Sequence, residues 1–205
     1  MTRIFNLDNP VWNFLGKLTD MIVLTVLWVT VSIPVITAGA STAALYDISL
    51  QLAENQEGYI VRSFFRSFKK NWKKSTAVWM GTVCIGMFLL SDFYVYSHME
   101  QSFGVILLTS SILLAVICLM TLLYVFPLIV RGNMNLRSVL ITAFMLALKN
   151  LGWTIFMLVA AAGILAIGVF VMAPLLIIGV GLTAYLHAKI LHMILKDYRL
   201  PEKEL

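Results

Sequence analysis

Charge is what this sequence has least of. Only 12% of its 205 residues are Asp, Glu, Lys or Arg, about half the roughly 25% of an ordinary soluble domain. The shortfall runs the whole length of the chain, which argues against a soluble domain with one anchor and for a polytopic membrane protein. Acids are scarcer than bases, 10 against 15. No paired carboxylates suit hydrolysis, and no Ser or Cys has a plausible His base nearby, so the chain does not read as an enzyme. A phosphate-cradling loop is also missing. Gly179 and Gly181 lie in an apolar run with no Lys-Ser/Thr after them, which excludes the ATPase of a transporter. Cysteine is limited to Cys84 and Cys118, inside apolar runs and without metal spacing; both read as packed free thiols. No small-residue cleavage pattern follows the first apolar run, so it reads as a retained helix rather than a signal peptide.

What is present is grease. Hydrophobic residues make up 60% and mean hydropathy is +0.92. Crossing a ~30 Å hydrocarbon core takes roughly 20 apolar residues per helix, and five segments reach or approach that length: 15–36, 76–96, 103–126, 152–171 and 173–195. The expectation is one all-α transmembrane domain over 1–205, a helical bundle of about five spans. The last two spans, parted only by the turn around Met172 and Pro174, form a tight hairpin.

The few charges are unevenly spread. Arg62, Arg66, Lys69, Lys70, Lys73 and Lys74 are six of the fifteen Lys and Arg residues, within thirteen positions. Short loops rich in Lys and Arg stay in the cytoplasm. The connection at 97–102 has neither and belongs outside; the one with Arg131, Arg137 and Lys149 belongs inside, as does the tail with Lys189, Lys196, Arg199 and Lys203. Alternation then puts the N-terminus outside and the C-terminus in the cytoplasm, with Arg3 and Lys17 mildly opposed.

At helical spacing Val61, Phe65, Phe68 and Trp72 share a stripe, and Arg62, Arg66, Lys69, Lys70 and Lys73 cover the opposite side. That pattern fits an amphipathic elbow over about 59–74 lying in the membrane interface, aromatic face in the acyl boundary and cationic face toward anionic headgroups. Its polar face, with Asn71, is also a candidate docking surface. Nucleic acid is the weaker reading, because the aromatics are needed for the membrane. A second elbow is expected over 136–150. Together they suggest a parallel internal repeat: a span ends at Pro34 or Pro127, a cytoplasmic segment follows, and Lys70-Asn71-Trp72 or Lys149-Asn150-Leu151-Gly152-Trp153 leads into the next span. The first copy is longer, mostly through the Ala/Ser-rich "AGASTAALYDISLQLAENQEG", expected as a short helix with an exposed acidic end.

The stretches "NPVWNFLGKLTDMIVLTVLWVTVSIPVITAGASTAALYDISLQL", "SFFRSFKKNWKKSTAVW" and "YVFPLIVR" resemble the YesL-like family of small bacterial membrane proteins, which carry a domain of unknown function. The most specific parts are residues 34–44 and the Phe-x-x-Phe-Lys-x-Asn pattern from Phe65 to Asn71. The resemblance implies a multi-spanning protein often encoded beside carbohydrate-import ABC transporters and polysaccharide-degrading enzymes, and brings no catalytic motif; the residues themselves give no reason to expect a cofactor or metal.

Few other residues invite a role. His187 and His192 are five apart, the wrong helical spacing for one ion, and read as packing or hydrogen-bonding groups; His98 and Glu100 read as a solvated turn. Asp92 is the one acid deep enough in a span to be a candidate intramembrane polar site. Gly39, Ala43, Ala162, Ala166, Ala184 and Ala188 form small faces that let helices approach closely in lipid. Three functions compete: an accessory subunit bound to the permease subunits of a carbohydrate ABC importer, a stand-alone transporter or channel acting as a homo-oligomer, and a membrane sensor or scaffold for sugar uptake.

Overall fold

Apolar runs this poor in proline wind into helices, because in lipid every backbone donor and acceptor must find a partner within the chain. The computed structural model describes residues 10–54, 56, 58–97, 102–132, 134–170 and 174–197, and they are helical almost throughout. The helices are α1 (Pro10–Ser32), α2 (Ala38–Ala53), α3 (Ile60–Ser97), α4 (Ser102–Arg131), α5 (Leu136–Lys149), α6 (Leu151–Phe170) and α7 (Pro174–Asp197), with one 3-10 turn at Val35–Thr37. Four of them, α3, α4, α6 and α7, are long and apolar enough over their described residues to cross a membrane. The expected turn at Met172–Pro174 and the loop with His98 and Glu100 fall largely or wholly outside the described residues.

The first apolar run does not continue to residue 36. Proline disfavours helix in the residue before it, and α1 stops at Ser32, two residues short of Pro34. Thr37 closes the break: its amide donates to Pro34 O at 2.9 Å, and its hydroxyl lies 2.5 Å from Val31 O and 2.6 Å from Pro34 O. The chain then doubles back. Trp28 Nε1 donates to Thr42 Oγ1 at 3.1 Å and the Ser32 and Ser41 hydroxyls meet at 2.5 Å, so α1 and α2 form an antiparallel hairpin. Its tip is apolar and bare, with Ile33 76% exposed.

The segment expected as a polar-ended cytoplasmic connection is therefore the centre of the molecule. Gly39, Ala40, Ser41, Ala43, Ala44, Leu45, Tyr46, Ile48, Ser49 and Leu50 of α2 are all buried, beneath α1, α3, α4 and α7. Small residues explain this: without bulk, a helix can be approached on several sides at once. The closest approach is at Gly39, where a β-carbon would collide with Trp79 Cβ and stand 2.6 Å from Ser75 O. Only glycine fits.

The basic stretch also differs from expectation. It is not an elbow separate from a span; 60–97 form one helix of 38 residues, about 57 Å long at ~1.5 Å per residue. No proline or glycine interrupts it before Gly81, and α2 packs along its first half. Since the hydrocarbon core is ~30 Å thick, close to half of an upright α3 extends beyond it. The third apolar run likewise continues through Pro127, which is fully buried, to Arg131.

Contacts set the relative directions. α2 runs alongside α4 and α7 in the same sense, since Tyr46 meets His187 while Glu54 meets both Arg131 and His192. α1 opposes α7, with Thr25 Oγ1 accepting from the Gly181 amide at 2.9 Å. So α1, α3 and α6 point one way and α2, α4 and α7 the other. The start of α1 and the end of α7 are thus at the same end of the bundle, whereas simple alternation of five spans expects opposite ends. The alternation counted α2 as a loop, when it is a return pass.

The internal repeat has a physical counterpart. Phe64, Ser67, Asn71, Ser75 and Val78 form the buried seam of α3, and Ala143, Leu146, Asn150, Thr154 and Met157 are inward-facing at the same spacing in α5 and α6. Asn71 Nδ2 donates to Ser67 O at 3.2 Å and Asn150 Nδ2 to Leu146 O at 3.1 Å, each four residues back. The copies part at that asparagine. α3 runs through Asn71, whereas Asn150, at φ −112° and ψ 42°, ends α5 just before Gly152.

Candidate functional site

Polar side chains that the sequence scatters are gathered where α2, α4 and α7 end together. Glu54 Oε1 accepts from Arg131 Nη2 and stands 3.0 Å from His192 Nδ1, which is 3.2 Å from Arg131 Nη2. Glu54 and Arg131 are about one quarter exposed. His192 Nδ1 can donate to the carboxylate or accept from the guanidinium, not both, so its protonation selects between two arrangements of one cluster. Asp47, two turns back on α2, adds a second negative charge near Arg131. Sequence reasoning did not single out Glu54 or Arg131 as a pair, because 77 residues separate them and the pairing depends on α2 turning back.

Deeper in the bundle lies a second connection. The Tyr46 hydroxyl is 3.1 Å from His187 Nδ1, and His187 Nε2 is 3.0 Å from Met157 O. A carbonyl only accepts, so Nε2 carries the proton and Nδ1 accepts from the phenol. A parallel bond joins the Tyr124 and Thr154 hydroxyls at 2.8 Å. Each polar atom is satisfied by a neighbouring helix, which makes these groups cross-links of the bundle rather than free reagents. His187 thus has the hydrogen-bonding role expected of it. No group of three or more His, Cys, Asp or Glu residues among those described could hold a metal ion.

The cationic face is where helical spacing put it. Arg62, Arg66, Lys69, Lys70 and Lys73 are all exposed on α3. Opposite them Asn71 is buried, and between the two lie Phe68 and Trp72, half-buried and edge-to-face at 5.0 Å. The aromatic stripe divides. Phe68 packs against the α1–α2 cluster around fully buried Phe64, while Phe65 is 42% exposed. The seam to α2 took the aromatics next to Asn71, leaving Val61 and Phe65 outward beside the cations. Lys74 points elsewhere, donating to Met134 O at 2.9 Å across to the α4–α5 turn.

The small faces separate into two classes. Gly39, Ala43, Ala184 and Ala188 are buried and used within the chain. Ala162 and Ala166 of α6 are exposed, and a β-carbon at the intervening Gly163 would meet nothing within 4 Å. Asp92 is half-buried near the outer end of α3, far along the helix from the Glu54 cluster. Cys84 is exposed and Cys118 half-buried, which corrects the expectation that both thiols are packed.

Residues 21–93 match the family described as "Protein of unknown function, DUF624", a range that takes in the second half of α1, all of α2 and most of α3. The chain is also 27% identical over 174 residues to a protein of Bacillus subtilis (strain 168) described as "Uncharacterized protein YesL", covering 83% of this chain and 82% of that one. No solved structure matches. The match centred on the α1–α2–α3 unit and the similarity over most of the length both lie along the stretches that resemble YesL-like proteins.

Proposed function

We propose that this protein is a non-catalytic accessory subunit that binds the permease subunits of a carbohydrate ABC importer. One observation carries the reading: the bundle buries its inner half around α2 and leaves its membrane faces without internal partners. The span-forming part of α3 is scarcely covered by the rest of the chain, and that of α6 little more. On α6 the open face carries Ala162, Gly163 and Ala166, residues that let a second helix come close. At the inner end the exposed row from Arg62 to Lys73 supplies a cationic surface for an acidic partner or for anionic headgroups. The carbohydrate importer as partner rests on the gene neighbourhood that the family resemblance implies.

Sidedness is part of the same reading. Lys17, Arg62 to Lys74, Arg131, Arg137, Lys149 and Lys196 all belong to the end of the bundle where α3 and α6 start, whereas residues 75–130 and 150–188 hold no Lys or Arg. Short cationic loops stay inside, so that end is cytoplasmic and both termini are inside, in a bacterial cell membrane.

Affinity purification from native membranes in mild detergent, with mass spectrometry, tests the partner. Stoichiometric recovery of permease subunits and an ATPase is expected, and reversing Lys69, Lys70 and Lys73 to Glu should reduce it while the protein stays in the membrane. Recovery as a clean homo-oligomer would favour an independent transporter or channel.

A further inference from the structure

Between the outer half of α3, α4 and the flank of α5 runs a groove of about 690 Å³. Its walls include Gly81, Ile85 and Phe93 of α3, Cys118 and Leu122 of α4, and Leu140 of α5. The lining hydroxyls of Thr82 and Thr121 are spent on their own helices, donating to Val78 O and Ile117 O at 2.9 and 2.8 Å. Ser111 adds one further hydroxyl to a lining that is otherwise almost wholly apolar, so the walls offer little to a sugar or an ion. They suit a hydrocarbon chain.

The inner mouth has the opposite character. Lys74, tied to Met134 O, bridges α3 to the turn that begins α5. Exposed Lys70 lies one turn before Lys74 on the same flank of α3, and exposed Arg137 comes directly after the lining residue Leu136. No acid occurs from 60 to 91 or from 132 to 196, so neither α3 near the mouth nor α5 carries a negative charge to oppose them. Asp92 stands 18 residues beyond Lys74, about 27 Å away along the helix. One end of the groove is cationic and the other is not.

We infer that this groove is a binding site for an anionic phospholipid, its acyl chain along α3 and α4 and its phosphate at Lys70, Lys74 and Arg137. The site shares Lys70 with the cationic row proposed to meet a protein partner but takes Lys74 and Arg137 from outside that row, and, on the sidedness proposed above, it orients the lipid with its headgroup in the inner leaflet.

The geometry supplies a blocking variant. A β-carbon at Gly81 meets nothing within 4 Å, so Gly81→Leu enters the groove from open space and narrows it where an acyl chain would lie. Purified full-length protein is titrated with dioleoyl phosphatidylglycerol or dioleoyl phosphatidylcholine in mild detergent, and bound lipid is read by native mass spectrometry. One saturable phosphatidylglycerol per chain, preferred over phosphatidylcholine, is expected. Gly81→Leu abolishes it, and the exposed-site variants Lys70→Gln and Arg137→Gln each cut the preference about fivefold, as one headgroup cation contributes. Equal binding of the two lipids, or retention that Gly81→Leu leaves unchanged, overturns the inference. So does loss of self-association in Gly81→Leu with lipid retention intact, which would put a second copy's helix in the groove. If Gly81→Leu does not fold, the two cation variants decide: unchanged preference in both refutes the site.

Discussion

The same substitution at two glycines should move stability in opposite directions. At Gly39 an added methyl would collide with Trp79 Cβ and lie 2.6 Å from Ser75 O. These are a backbone oxygen and the first atom of a side chain, and neither can swing away, so α2 and α3 must separate. Overpacking of this kind costs about 1–3 kcal/mol. Gly39 is the second residue of α2, where little helix propensity is regained. At Gly81 nothing lies within 4 Å, and replacing a mid-helix glycine by alanine returns roughly 0.5–1 kcal/mol. A chain of this length shifts its midpoint by about 2–4 °C per kcal/mol. Thermal unfolding in detergent, followed by tryptophan fluorescence, should show Gly39→Ala lower by several degrees and Gly81→Ala unchanged or slightly higher. A Gly39→Ala midpoint at or above the parent's would refute the close α2–α3 seam, and with it the burial of α2 that sets the helix directions.

His187→Leu leaves the buried Tyr46 hydroxyl unpartnered and removes the second bond to Met157 O, and should cost about 1–3 kcal/mol, with Tyr46→Phe milder; denaturation midpoints of both check this. Glu54→Gln removes the carboxylate from a half-buried Arg131 and should cost about 1 kcal/mol, between surface and buried pairs, with the loss shrinking at high salt. In a background with Cys84 and Cys118 replaced by alanine, Thr2→Cys should react with an impermeant thiol reagent only after protoplasts are lysed; labelling of intact protoplasts would contradict the cytoplasmic N-terminus. Ala162→Leu, on an exposed face of α6, should leave the midpoint near the parent's while weakening co-purification of the permease subunits, and undiminished recovery would remove that face from the interface.

Composition and periodicity alone determined that this is an all-α membrane protein and that α3 carries a cationic row, because both depend on local quantities: apolar length against bilayer thickness, and the angle between successive side chains. The positions of Arg62, Arg66, Lys69, Lys70 and Lys73 on one exposed face were legible for that reason. The repeat of Lys70-Asn71-Trp72 at Lys149-Asn150 was visible too, since a repeat is a pattern within the chain; that each asparagine sits on an inward seam was not. The course of α2, by contrast, was open until the helices packed. Its residues are too small and too polar to read as a span, and the proline before them signals a break without fixing the direction of the next helix. Packing settled that direction, through Trp28 with Thr42, Gly39 with Ser75 and Glu54 with Arg131. From that one return pass come the shared end of α1 and α7, the Glu54–Arg131–His192 cluster and the division between used and unused small faces. Each is a meeting of residues far apart in the chain, and helical spacing carries no information about which distant helix a face will meet.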